Sequence, residues 1–262
     1  MKVLKFLSVF VLLISCKSYM EYTAGIKEID YSFDNLTVRR FHDLDVALSY
    51  PEKVIFLDIS FSSAKDPQLV FSRLNSNIEK FTHLKKLTLE GNDVYPVPEN
   101  IFRMHSLEFL TLSSFKDSSA MARLNELQNL RFLGLDFCGL NSVPPSVLQL
   151  NKLQGLDLTG NEISYLPEGI ADLSELVTID LTNNLFTEIP SVLTRSPKLK
   201  YLDLNNAEGT DREKLRSYHV GVNKINYVRD LKEFRSLKEL YVTDAYNGMD
   251  SLNKQYAHVK VR

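Results

Sequence analysis

The 262-residue chain has 44% hydrophobic and 24% charged side chains and a formal net charge of −2. That is an ordinary globular composition, long enough for one large domain or two small ones. A near-neutral balance gives no electrostatic reason to expect a nucleic-acid partner, and ten glycines and nine prolines are too few for low complexity. Tryptophan is absent; leucine dominates, and its positions decide the fold.

The chain opens with a short basic region, Lys2 and Lys5, followed by an apolar run from Phe6 to Ile14. That run is too short to span a bilayer as a helix, which needs roughly 20 residues, and suits the core of a secretory signal. Leu13-Ile14-Ser15-Cys16 follows and resembles the bacterial lipobox, in which the cysteine is lipidated and becomes the new N-terminus. A plain signal peptide with a chance cysteine is the competing reading. On the lipoprotein reading the mature chain starts at Cys16, and several acyl chains anchor it far more firmly than one. Resemblance to Gram-negative lipoproteins implies the outer membrane, because Lys17 rather than Asp follows the cysteine. Only Cys138 then remains, so an exported domain would have no internal disulfide and would rest on packing alone.

Further on, Phe41, Leu44, Ala47 and Leu48 recur at helical spacing and predict an amphipathic helix that stops before Pro51. A repeat then takes over. Leucines 84, 107, 130, 153, 176 and 199 are separated by 23 residues each, and every one opens L-x-x-L-x-L or a close variant. An outlying copy precedes them at Val54/Leu57/Ile59, and another follows at Leu237/Leu240/Val242. The last two apolar residues of each unit are two apart, so they share one face of a strand and mostly polar residues take the other. Parallel sheets covered on both faces read as continuous apolar runs; here one face must be wet, as in a solenoid.

Two further columns recur. Asn92, Cys138, Asn161 and Asn184 stand three residues past the strand, where a buried amide can satisfy the backbone of neighbouring turns. Val97-Pro98, Val143-Pro144, Leu166-Pro167 and Ile189-Pro190 start the return segments, each followed by an aliphatic residue that tucks the segment into the core. Residues 84–204 closely resemble the leucine-rich-repeat family, and the stretch from Ala47 to Ile59 resembles the entry segment of bacterial leucine-rich-repeat lipoproteins. The resemblance implies an α/β right-handed solenoid: a curved parallel sheet of about eight strands with short helical or 3-10 return segments.

The pattern weakens in two places. Phe115 replaces the asparagine of its unit, which also lacks the Val-Pro pair, and the step from Leu199 to Leu237 exceeds one repeat by 15 residues. The expected organisation is a lipoprotein signal at 1–15, a tether and helical cap at 16–53 and repeats at 54–248, with an irregular insertion about 207–235. A C-terminal cap at 249–262 completes it, with Ala257, Val259 and Val261 alternating as an edge strand.

Function must be sought on a surface. The concave face is expected to present Phe56, Lys86, Phe109, Phe132, Gly155, Thr178, Tyr201 and Glu239 in one column. Asp58, Thr88, Thr111, Gly134, Asp157, Asp180, Asp203 and Tyr241 form the next. Exposed Phe109 and Phe132, about 5 Å apart on neighbouring strands, would mark a binding surface. A cap or the long insertion folded over them is the structural alternative. The ladder Asp157/Asp180/Asp203 stacks like charges, which suits a cationic ligand, yet Leu-Asp-Leu is also a frequent solvating form of this repeat. Coordination of a metal needs convergent ligands, and no cofactor is expected. Cys138 reads as a small buried residue rather than a nucleophile, and the histidines at 42, 83, 105, 219 and 258 lack ligand spacing.

The sequence therefore points to a non-enzymatic, lipid-anchored binding module. Its partner is a protein held on the concave face, through Phe56, Phe109, Phe132, Asp157, Asp180, Tyr201, Asp203 and Tyr241. A carbohydrate-binding surface lipoprotein is the alternative, with the aromatics stacking on sugar rings. A catalytic domain after the repeats is disfavoured, since only about 20 residues follow the last strand.

Overall fold

The computed structural model describes residues 40–91, 94–206, 221–225, 231–242 and 259–261. The signal segment, Cys16, Asn92 and most of the C-terminal cap lie outside the described residues.

Ten parallel strands form one sheet in strict chain order. They are β1 (Arg40–Phe41), β2 (Phe56–Ser60), β3 (Lys86–Glu90), β4 (Phe109–Ser113), β5 (Phe132–Gly134), β6 (Gly155–Asp157), β7 (Thr178–Asp180), β8 (Tyr201–Leu204), β9 (Glu239–Val242) and β10 (Lys260–Val261). Eight of them are the strands that the leucine pattern marks. The other two, β1 and β10, are two-residue strands that cover the edges, which would otherwise offer open backbone. Phe41, expected on the N-terminal helix, instead sits in β1. The helix itself, α1 (Leu44–Ser49), buries Leu44 and Ala47 and is capped by the Asp43 carboxylate, which accepts from the N–H groups of Asp45 and Val46.

The leucines set the register. Leu87, Leu110, Leu133, Leu156, Ile179, Leu202 and Leu240 pair in line from strand to strand and are fully buried, as are their neighbours two residues on. Each turn thus adds the same apolar layer to one continuous core. After the strand the chain bends identically: Ser114, Phe137, Gly160 and Asn183, spaced by 23, all take positive φ between 53° and 71°. Gly160 has a second reason to be glycine, because a Cβ there would lie 2.3 Å from the Phe137 ring.

Return segments divide by sequence. Where an aliphatic-Pro pair begins them they are 3-10 turns, at Glu99–Arg103, Val147–Gln149, Glu168–Asp172 and Ser191–Arg195. Two of the returns that lack it carry α-helices, α2 (Pro67–Asn77) and α3 (Ser118–Arg123), while the return before β9, which also lacks it, has a 3-10 turn at Leu231–Glu233. Asp117 caps α3 and also accepts the Val97 N–H at 3.0 Å, tying that helix to the preceding turn.

The asparagine column holds the turns together. Asn161 donates to the carbonyls of Leu135, Leu158 and Thr159 and accepts from the N–H groups of Cys138 and Leu140. Asn184 repeats this one turn later, on Leu158, Leu181 and Thr182. Cys138 is a partial substitute whose thiol lies 3.3 Å from the Leu112 carbonyl. Phe115 abandons the polar solution: its ring covers Gly91 and meets Phe61 edge-on at 6.1 Å.

Of the expected insertion at 207–235, only 221–225 and 231–235 are among the described residues. Asn223, not residue 207, supplies the next rung: its amide donates to Leu181, Leu204 and Asn205, and its oxygen accepts from Phe186 N–H. Ile225 and Leu231 are buried like the repeat residues whose places they take. Asn206 is joined directly to Asn223. Its side-chain amide donates to the Asn223 carbonyl at 2.9 Å and its oxygen accepts the Asn223 N–H at 2.8 Å, as a strand neighbour would. Gly221 lies so close to the backbone of Asn161 and Asn184 that a Cβ would come within 2.7 Å of it.

Candidate functional site

The concave face is built from the strand residues that alternate with the leucines, and in-register pairing aligns them into columns. One runs Phe56, Lys86, Phe109, Phe132, Gly155, Thr178, Tyr201, Glu239. The expectation that Phe109 and Phe132 are exposed is corrected: they are 1% and 4% exposed. Phe132 leans over Gly155, whose missing Cβ leaves the room; a methyl there would sit 2.7 Å from the ring. Thr178 is buried as well. The half-buried members are Phe56 and Lys86 at one end and Tyr201 and Glu239 at the other; Tyr241, also half-buried, stands in the neighbouring column beside Asp203.

The aspartate column is in register at Asp157, Asp180 and Asp203, and Asp136 stands beside it. Asp136, Asp180 and Asp203 are buried and Asp157 half-buried. Each column member folds back on its own chain: Asp157 accepts from Thr159 N–H at 2.9 Å, Asp180 from Thr182 and Asp203 from Asn205 at 2.8 Å. Those bonds close the turn after the strand. They do not neutralise the charges. Burial, aided by the like charges of Asp180 and Asp136, raises the Asp157 carboxyl well above the ordinary range. Burial and Asp180 do the same to Asp203, and burial raises Asp180. Asp136 is pushed up to about 6 by burial, opposed by a Ser113 hydrogen bond and reinforced by Glu90 and Asp180.

The N-terminal end of the face opens into a cleft of about 650 Å³. Asp58, Ser60, Thr88 and Glu90 from the strands form one wall; the starts of α1 and α2, with Asp43, Asp45, Asp66 and Arg73, form the other. Its carboxylates are engaged: Asp66 caps α2 through Leu69 N–H, Asp45 pairs with Arg73, Glu90 accepts from Ser62, and His42 Nδ1 lies 3.6 Å from Asp58. Among the described residues no group of three His, Cys, Asp or Glu side chains is arranged to hold a metal ion. Cys138 is buried inside the solenoid, and burial raises its thiol far above the ordinary range, the opposite of an activated nucleophile.

A family model described as the leucine-rich repeat region matches residues 112–259, more than half of the chain. The chain belongs to the leucine-rich-repeat family. No curated protein matches it. Among solved structures it is similar to a leucine-rich-repeat protein of Leptospira interrogans, with 27% identity and a TM-score of 0.58. That match covers 78% of this chain and 53% of the other, so the chain spans about half the length of the Leptospira protein. An internalin of Listeria monocytogenes, InlF, is 16% identical with a TM-score of 0.52, covering 85% of this chain and 70% of that one. TLR13, solved in a complex with ssRNA13, is 19% identical with a TM-score of 0.53, covering 74% of this chain and 27% of that one. The last two likenesses show the fold alone. Leucine-rich-repeat domains are typically protein-interaction modules, and the face described above is where this one offers varied side chains on a rigid sheet.

Proposed function

We propose that the protein is a non-catalytic binding scaffold of the bacterial cell envelope, tethered through a lipidated Cys16 and recognising a protein through its concave sheet. The observation that carries this reading is the unbroken in-register sheet, whose non-core columns hold aromatic and charged residues instead of a uniform solvating set. The docking positions are the half-buried ends: Phe56, Asp58, Lys86 and Thr88 beside the 650 Å³ cleft, and Tyr201, Glu239 and Tyr241 opposite. Phe109, Phe132 and the aspartates underlie the middle of the face. The envelope tether rests on Lys2, Lys5, the apolar run to Ile14 and the Ser15-Cys16 pair, and the outer membrane on Lys17.

Two measurements test it. Cys16→Ala should abolish incorporation of a radiolabelled fatty acid; persistent labelling overturns the anchor. The chain from Lys17 onward, immobilised and exposed to envelope extract, should retain a protein partner that Lys86→Glu and Tyr201→Ala release. Retention unchanged by both substitutions overturns the concave-face reading. A glycan array probed in parallel, positive where the extract is negative, would favour carbohydrate instead.

A further inference from the structure

Among the described residues six large apolar side chains are exposed, and three of them, Val94, Tyr165 and Leu185, lie in turns between a strand and its return. The other three fall on the first two return segments. They are Val46 in α1, Tyr50 at its C-terminal end and Leu69 in α2, each about half exposed. The described returns that follow, from Glu99–Arg103 to Leu231–Glu233, carry none. On α1, Leu44 and Ala47 are buried, while Val46 and Tyr50, four residues apart, share the opposite side. On α2, Leu69 stands four residues before Arg73, whose guanidinium pairs with Asp45 of α1, so the side that carries Leu69 abuts the α1 turn.

This end of the solenoid is also where the tether arrives. With Cys16 lipidated as proposed, residues 17–39 join the acyl anchor to β1, which pairs with β2 and leads straight into α1. The opposite edge, β10, stands nine strand steps further on, about 43 Å away at the usual sheet spacing. Single exposed apolar residues on a surface are ordinary, but a set confined to the return segments beside an anchor marks an interaction site. A contact made beside an anchor is intramolecular and gains an effective concentration of about millimolar when the linker is short, so a small patch suffices. Tyr50 carries Lys53 over its ring, with Nζ 4.7 Å from the centroid, and an apolar body with a charged tip suits a headgroup layer. The neighbouring charges nearly balance, Asp43, Asp45, Glu52 and Asp66 against Lys53, Lys65 and Arg73. Apolar side chains rather than attraction to anionic lipid therefore define this surface.

We propose that the N-terminal cap is a lipid-contact surface: Val46, Tyr50 and Leu69 enter the headgroup layer of the membrane that holds the Cys16 acyl chains, and so set the attitude of the solenoid on it. The inference rests on the lipid anchor. The chain has no tryptophan, so a single introduced one is the sole source of indole emission. The full-length protein is reconstituted in phosphatidylcholine vesicles with Leu69→Trp, Val46→Trp or, as a control on a distant turn, Tyr165→Trp. Brominated phosphatidylcholine should quench the first two about twofold and leave the third unchanged. Replacing part of the lipid by phosphatidylglycerol should not alter this, and Val46→Glu in the Leu69→Trp protein should relieve its quenching. Quenching at Leu69→Trp and Val46→Trp no greater than at Tyr165→Trp overturns the lipid contact, and so does quenching that appears only with phosphatidylglycerol. Flotation separates this result from the anchor. Protein that stays off the vesicles refutes the tether and this surface with it, whereas protein that floats without quenching at either position refutes the surface alone.

Discussion

Two polar columns run through the same turns with opposite energetics, Asp157 and Asp180 each standing four residues before Asn161 and Asn184. In the asparagine column, Asn161, Asn184 and Asn223 each satisfy carbonyls of their own turn and of the turn before, and carry no charge. In the aspartate column, Asp157, Asp180 and Asp203 accept a single backbone N–H each and face one another as like charges. Burial of a polar group is tolerated when its donors and acceptors are matched, and penalised when a charge is left over. The first column builds the solenoid. The second weakens it at neutral pH, and the half-buried ends of the face it lies on are where we place recognition.

Exchanging the two chemistries is the strongest way to break this contrast. Asn184→Asp keeps the shape but turns two N–H donors into a carboxylate aimed at three carbonyls, and should cost about 4 kcal/mol or more by denaturant unfolding. Stability unchanged within 1 kcal/mol would show that the amide does not hold the turns. Next in size is the aromatic pair. Because Phe132 is buried over Gly155, Phe132→Ala should cost about 3 kcal/mol and lower the melting temperature, whatever it does to partner capture.

The reverse exchange should stabilise. The aspartates' folded-state pKa values lie above the unfolded value near 3.9, so the folded chain retains protons that the unfolded chain releases. Stability is therefore full below about pH 4 and declines as pH rises through the folded values, about 6 for Asp136. The melting temperature should be higher at pH 5 than at pH 7.5. Asp157→Asn and Asp203→Asn keep the turn-closing acceptor, should add about 1–2 kcal/mol each at pH 7.5, and should flatten that profile. A lower melting temperature for both at pH 7.5 would contradict the burial argument. The smallest expected effect is at Asn206: alanine there removes both bonds to Asn223 and should cost about 1 kcal/mol, with faster amide exchange at Asn223.

Much of the fold was legible because leucine spacing fixes register directly: a 23-residue step places Leu110 beside Leu133 without further information. Two features were not. Asn223 was hidden because the step from Asn184 is 39 residues, although Asn161-Glu-Ile163 and Asn223-Lys-Ile225 share a local pattern that a search free of fixed spacing would find. The burial of Phe109 and Phe132 depends on how the face is filled, which alternation cannot report: it assigns a side, never a depth. At the candidate site the columns were readable as residue types on one surface. The cleft was not, because it forms between segments far apart in sequence, α1 and α2 against β2 and β3.

The closure at Asn206 and Asn223 separates the indexing of β9 from chain length. Fourteen residues, 207–220, lie between two ends already joined by a reciprocal amide pair. Doubling such a segment adds only about 0.6 kcal/mol of closure entropy. An insert between Asn206 and Asn223 that keeps this amide pair is therefore expected to leave the later turns in phase.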